Sequence, residues 1–162
     1  MKKYKGAIIL LNLILLLTYI NYTVSGKEKL LEDGHLVLLE LAPVDPRSLM
    51  QGDYMDLRYR ISDDILTDSI AKRGYCVVQL NADGIAGRVR FQEGPSPLAK
   101  DEYAIRYTLA GNNRISIGAE SYFFQEGHAE KYDQAKYGGL KIDKNGNSLL
   151  IGLYNERLQK IE

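Results

Sequence analysis

The sequence predicts a mainly β, antiparallel fold: a small partly open barrel or sandwich with one or two short helices, preceded by an N-terminal transmembrane helix. Three observations predict it. Short alternating or apolar segments follow one another at close spacing from Leu36 to the C-terminus. Two of the junctions between them, Asp83-Gly84 and Asn145-Gly146, carry the residue pairs that supply the positive φ of a hairpin turn. A single membrane-length apolar run, from Gly6 to Val24, precedes all of this.

That run is interrupted only by Asn12, Thr18 and a few residues near its end. At ~1.5 Å per residue it would be about 28 Å long as a helix, close to the ~30 Å hydrocarbon core. Lys2, Lys3 and Lys5 precede it, so the positive-inside tendency keeps the N-terminus in the cytoplasm and exports the rest, while Lys27 and Lys29 pull the other way. Tyr19 and Tyr22 suit the aromatic belt at the outer interface. A cleaved signal peptide is the competing reading, with Val24-Ser25-Gly26 as small residues for cleavage. Both readings deliver the remaining chain outside the cytoplasm. The expected organisation is a cytoplasmic stub and anchor over 1–26, a linker over 27–34 and an extracytoplasmic domain over 35–162, in a single-pass protein of a bacterial inner membrane facing the periplasm. The bilayer is then the first partner, through residues 6–24.

Leu36 to Leu41 is a compact apolar run bounded by Gly34 and Pro43, which predicts a buried strand. Pro43 and Pro46 exclude helix just before them, so Leu41 to Asp45 is extended and Pro46 opens a turn. After Gly52-Asp53, where Asp53 reads as a turn residue bonding its own backbone, the alternation from Tyr54 predicts a strand with Leu57, Tyr59 and Ile61 facing inward. Asp63 to Lys72 has helical spacing of Ile65, Leu66, Ser69 and Ile70, and Gly74 would end that helix. Tyr75 to Leu80 and Ile85 to Phe91 form a hairpin across Asn81 to Gly84. Pro95-Ser96-Pro97 makes a loop. Glu102 to Leu109 is a half-buried strand, its inner face Tyr103, Ile105, Tyr107 and Leu109, and Ile115 to Phe124 is a further strand after the Gly111 turn. Gly127 to Tyr137 reads as an amphipathic helix stopped by Gly138-Gly139. Leu140 to Ile142 and Leu149 to Tyr154 form the last hairpin.

Composition narrows the function. Twenty-one basic residues balance twenty-one acidic ones without long single-sign blocks, so there is no electrostatic case for nucleic acid. Cys76 is the one cysteine, in an apolar run, which excludes an internal disulfide and reads as a buried structural thiol. His35 and His128 form no closely spaced ligand pair, and the nucleotide-binding glycine motifs are absent, so neither metal nor other cofactor is expected.

The run Leu36 to Tyr59, with Pro43, Asp45, Pro46 and Arg47 as lead-in and Gly52, Asp53, Tyr54, Leu57 and Tyr59 as signature, and the later block Phe123 to Gly138, with Glu126-Gly127, Ala129, Tyr132, Ala135, Tyr137 and Gly138, resemble the family of bacterial membrane-anchored proteins named GDYXXLXY. The resemblance covers nearly all of the exported part. It implies a location and a class, in which members are single-anchor proteins or are attached to multi-spanning membrane proteins, and no particular reaction. Gly-Asp after a proline-containing stretch is also similar to signal peptidases and self-cleaving repressors, but the serine of that pattern is replaced by Val44, and no lysine lies between Lys29 and Lys72. The resemblance and the residues favour a non-catalytic module that binds or stabilises an integral membrane partner. The alternative is an envelope enzyme or ligand-binding domain with a pocket of Arg47, Asp53, Tyr54, Tyr59, Glu126, His128, Tyr132 and Tyr137, in which the carboxylates and histidine converge as an acid/base set. Acids near a helix N-terminus also have a plain explanation in the helix dipole.

Overall fold

A computed structural model describes residues 4–42, 54–66, 69–111, 113–125 and 129–161. The first helix, α1 (Lys5–Asp33), carries the apolar run and continues without a break through the segment expected as linker. Its backbone needs no outside partner while the side chains meet lipid, and its in-span Asn12 and Thr18 bond the carbonyls of Ile8 and Ile14 one turn back. Gly34 ends it: the Gly34 N–H bonds the Leu30 carbonyl, and Lys141 Nζ donates to the Gly34 carbonyl at 2.7 Å. A cation at that end also suits the helix dipole.

Strand β1 (His35–Glu40) starts directly after Gly34. The remaining elements are β2 (Tyr54–Asp56), a 3-10 turn (Arg60–Ser62), β3 (Arg73–Leu80), β4 (Ile85–Gln92), β5 (Glu102–Gly111), β6 (Arg114–Ser116), β7 (Ser121–Phe123), α2 (Ala129–Tyr132), β8 (Tyr137–Ile142) and β9 (Ser148–Tyr154). Seven strands form one sheet in the order β6-β5-β3-β4-β1-β8-β9, and β2 pairs with β7 in a second, small sheet. The large sheet curls into a half-barrel. Its β8–β9 turn reaches the far edge, where the Arg106 N–H donates to the Gly146 carbonyl at 2.9 Å and Ser148 Oγ donates to the Ile117 carbonyl at 3.2 Å. Gly146 has a φ of +78°, and a Cβ there would lie 2.7 Å from Tyr75 Cε1, so both the turn and the contact require glycine.

The core fills the concave side. Val37 and Leu39 on β1, Cys76 and Val78 on β3, Ile105 and Tyr107 on β5, and Leu140 and Ile142 on β8 alternate inward, and Leu57, Tyr59, Ile61 and Ile65 close over them. Cys76 is fully buried, and burial pushes its thiol up to about 12.

Several sequence expectations are corrected. The sheet is mixed rather than wholly antiparallel, since β1 pairs with β4 in parallel through Leu38↔Ile85 and Leu39↔Ala86. Inserted between two hairpins, β1 runs antiparallel to β8 on one side and meets β4 in the same direction on the other. The strand from Tyr54 ends at Asp56, one pair before the Leu57 N–H to Glu120 carbonyl bond that continues its register, and Leu57, Tyr59 and Ile61 still face inward. No α-helix forms among the described residues of 63–72: Asp64 takes a left-handed φ of 54°, and Ile65 enters the core with its N–H on the Asn113 carbonyl. The strand expected over Ile115 to Phe124 is cut at Gly118, φ +76°, where the Glu120 carboxylate accepts from the Ile117 and Gly118 N–H groups. The helix expected over Gly127 to Tyr137 is, in its described part, the single turn α2, because the Lys136 N–H bonds the Tyr154 carbonyl and Tyr137 opens β8.

Candidate functional site

The two sequence blocks meet in the fold. β2 pairs with β7 through Tyr54↔Phe123, Met55↔Tyr122 and Asp56↔Ser121, so the second half of the first block lies beside the strand that leads into the second. Tyr59, 1% exposed, is the hub: its hydroxyl donates to the Ala119 carbonyl at 2.6 Å, and its ring rests on Gly138 of the second block. A Cβ at Gly138 would come within 2.8 Å of Tyr59 Cε1. The Tyr59 hydroxyl is held protonated well above the usual phenol range, first by burial and then by the nearby Glu120 carboxylate. Leu41 bridges to Tyr59, and the Ala42 N–H bonds the Arg58 carbonyl, which ties the same segment to the end of β1.

Tyr132 is also buried, with its ring 5.2 Å from Tyr122 in an edge contact and 5.1 Å from Phe124. Burial, followed by the hydrogen bond to Tyr132, pushes the Tyr122 hydroxyl up to about 12. Tyr137 is half-buried on β8, opposite Glu40 on one side and Tyr154 on the other. Of Tyr54 only the strand backbone enters the account, and Arg47, Asp53, Glu126 and His128 lie outside the described residues. At the described end of the first block Arg58 Nε pairs with Asp63 at 3.0 Å, and just beyond it Arg60 Nη1 pairs with Glu40 at 2.8 Å, both at the surface. Among the described residues no group of His, Cys, Asp and Glu is gathered as a metal site.

A different feature escaped the sequence reading. The convex face of β3, β5 and β6 bears a cleft of about 480 Å³ whose lining includes Arg73, Tyr75, Glu93, Arg106, Thr108 and Ser116. Strand register brings them together: Arg73 is opposite Thr108, Tyr75 opposite Arg106, and Thr108 opposite Ser116. The only sequence signal was the polar half of two alternating strands, and that half reads as ordinary solvated surface until the strands are paired.

The family model for the GDYXXLXY protein matches residues 16–153. No curated protein and no solved structure matches the chain. The match takes in β1, both sequence blocks, the Tyr59–Gly138 contact and most of β9, and the protein belongs to the GDYXXLXY family.

Proposed function

We propose that this protein is a non-catalytic, membrane-anchored module of the cell envelope that binds or stabilises an integral membrane partner. The observation that carries the reading is α1: a helix long and apolar enough to cross a bilayer, uncovered by the rest of the protein along its apolar stretch, and continuous with β1 through one residue. A body on so short a joint is held close to the bilayer at a fixed attitude, which suits a standing contact with a neighbouring membrane protein. The extramembrane turns from Ser25 to Asp33 add roughly 13 Å of rise. The described motif side chains Leu57, Tyr59 and Tyr132 serve packing, which supports a scaffold role.

In this reading the N-terminal stub is cytoplasmic and the body, residues 35–162, lies in the periplasm of a bacterial inner membrane. Crosslinking in intact membranes, then detergent extraction and pull-down, is expected to recover a multi-spanning protein with the chain. Recovery of the anchored chain alone counts against the proposal. Reporter fusions at the C-terminus should be active only in the extracytoplasmic compartment.

The second reading is a ligand pocket at the junction of the two blocks, with Arg47, Asp53, Tyr54, Glu126, His128 and the tyrosines 59, 132 and 137. The pairing of Tyr54 with Phe123 supports it by bringing the blocks side by side. Replacing Asp53 and His128 together by alanine separates the two: a pocket loses its ligand response, whereas partner recovery through the anchor and body persists.

A further inference from the structure

We infer that the convex cleft on β3, β5 and β6 is a binding site for an organic phosphate, carried either by a soluble ester or by a lipid headgroup. The cleft holds two guanidinium groups that make no ion pair with a carboxylate among the described residues. The Arg73 side chain makes no hydrogen bond or ion pair among the described residues. Arg106 has only a phenol: its Nε donates to Tyr75 Oη at 3.3 Å, and its guanidinium stands 5.9 Å from the centre of the Tyr75 ring. The contrast with Arg58, Arg60, Arg88 and Arg90 is direct, since each of those donates to a carboxylate or to backbone carbonyls.

Register explains why the two cations act together. Arg73 and Tyr75 point to the same face of β3, and Thr108 and Arg106 are their respective partners on β5, so the arginines are diagonal neighbours. The contact with Tyr75, through its hydroxyl and at the limit of a cation–π distance, limits the rotamers of Arg106 and leaves its terminal nitrogens to donate, so less side-chain entropy is lost when an anion arrives. The hydroxyls of Thr108 and Ser116 add donors from the second and third strands. Donors converging from three strands match the several oxygens of a tetrahedral phosphate better than the single plane of a carboxylate. At about 480 Å³ the cleft also exceeds what one inorganic ion needs and falls in the ~300–1,000 Å³ range of small-molecule sites, with the Tyr75 ring as an apolar wall for the rest of the ligand. Glu93 is the one carboxylate in the lining, which leaves the cleft positive in a chain of zero net charge. The site is separate from the anchor and from the junction of the two sequence blocks, and it stands whether or not a membrane partner is found.

The test uses the full chain in a neutral maltoside detergent at low salt, titrated calorimetrically with glycerol 3-phosphate, with lysophosphatidylglycerol doped into the micelle, and with acetate. Saturable binding of glycerol 3-phosphate supports the site with a soluble ester as source, and binding of the lysolipid alone supports it with a headgroup as source. In either case Arg73→Gln and Arg106→Gln should each weaken binding about tenfold or more, as expected for charge-assisted hydrogen bonds. Arg157→Gln, the same charge change on an exposed loop away from the cleft, should not weaken it. Inorganic phosphate should displace the bound probe from the unaltered protein, a readout that needs no variant. The inference is overturned if neither phosphate probe binds, if acetate binds as tightly, if phosphate fails to displace the probe, or if Arg157→Gln weakens binding as much as the cleft variants.

Discussion

Replacing Gly138 by alanine tests whether the two sequence blocks are joined by packing. The added Cβ would sit 2.8 Å from Tyr59 Cε1 and 3.1 Å from its hydroxyl oxygen, whereas carbon atoms pack at about 3.5–4.0 Å. The ring has little room to yield, being 1% exposed and held by the 2.6 Å bond to the Ala119 carbonyl. Overpacking of this kind costs about 1–3 kcal/mol. Removing a glycine from the unfolded chain returns about 0.4–1 kcal/mol. Taking the middle of each range, the net loss is about 1.3 kcal/mol, equivalent to roughly 3–5 °C in Tm for a chain of this size. Near-UV circular dichroism during thermal unfolding in detergent reports chiefly the packed tyrosines of the β body, since Tyr19 and Tyr22 of α1 are exposed.

Tyr59→Phe by itself strands the Ala119 carbonyl and should cost about 1–3 kcal/mol. In that background the unpinned ring can slide, so the Gly138→Ala penalty should shrink by about 0.5 kcal/mol or more, as residues in contact couple in a double-mutant cycle. A Gly138→Ala protein that melts with the wild type, or a cycle that closes additively, would refute the argument that this contact joins the blocks.

Three further outcomes are expected. Glu102, bidentate on Arg90 at 2.6 and 2.8 Å and accepting from the Ala99 N–H, is held down from 4.5 to about 2, chiefly by Arg90. A lowered folded value contributes stability above the unfolded value and loses it as the pH falls from about 4.5 through 2; Glu102→Gln should therefore flatten the acid limb of the stability curve, and an unchanged limb would show that the pair does not control it. Cys76 should resist maleimide in the folded protein and react fully in denaturant, read by mass spectrometry, because its buried thiol is raised to about 12. Lys141→Met removes the donor to the Gly34 carbonyl, and hydrogen exchange over residues 30–36 should quicken several-fold for a loss of about 1 kcal/mol at that joint.

How legible the molecule was depended on how local each cause is. Asn145-Gly146 and Asp83-Gly84 announced their hairpins because the positive φ of Gly84 and Gly146 is a property of single residues. The inward set Leu57, Tyr59 and Ile61 was readable even though β2 ends at Asp56, because alternation in sequence and burial on one face are nearly the same fact. The helix expected over Gly127 to Tyr137 failed for the opposite reason. Its helical spacing satisfies one turn, after which pairing of β8 with β9 and the seating of Tyr132 on Tyr122 and Phe124 outweigh a weak local preference. The strand cut at Gly118 went unread although its cause is local: a positive φ at Gly118 and the Glu120 carboxylate accepting from N–H groups two and three residues away.

The sequence alone determined that a bilayer-length helix precedes a tyrosine-rich β body, and which faces of most strands are oily, because hydrophobic length and period are carried by neighbouring residues. Only the tertiary structure decided that β1 runs parallel to β4, that Tyr59 meets Gly138, and that Arg73 and Arg106 share one cleft. Those pairings join residues far apart in the chain, and their free energy resides in contacts that do not exist until the sheet has curled.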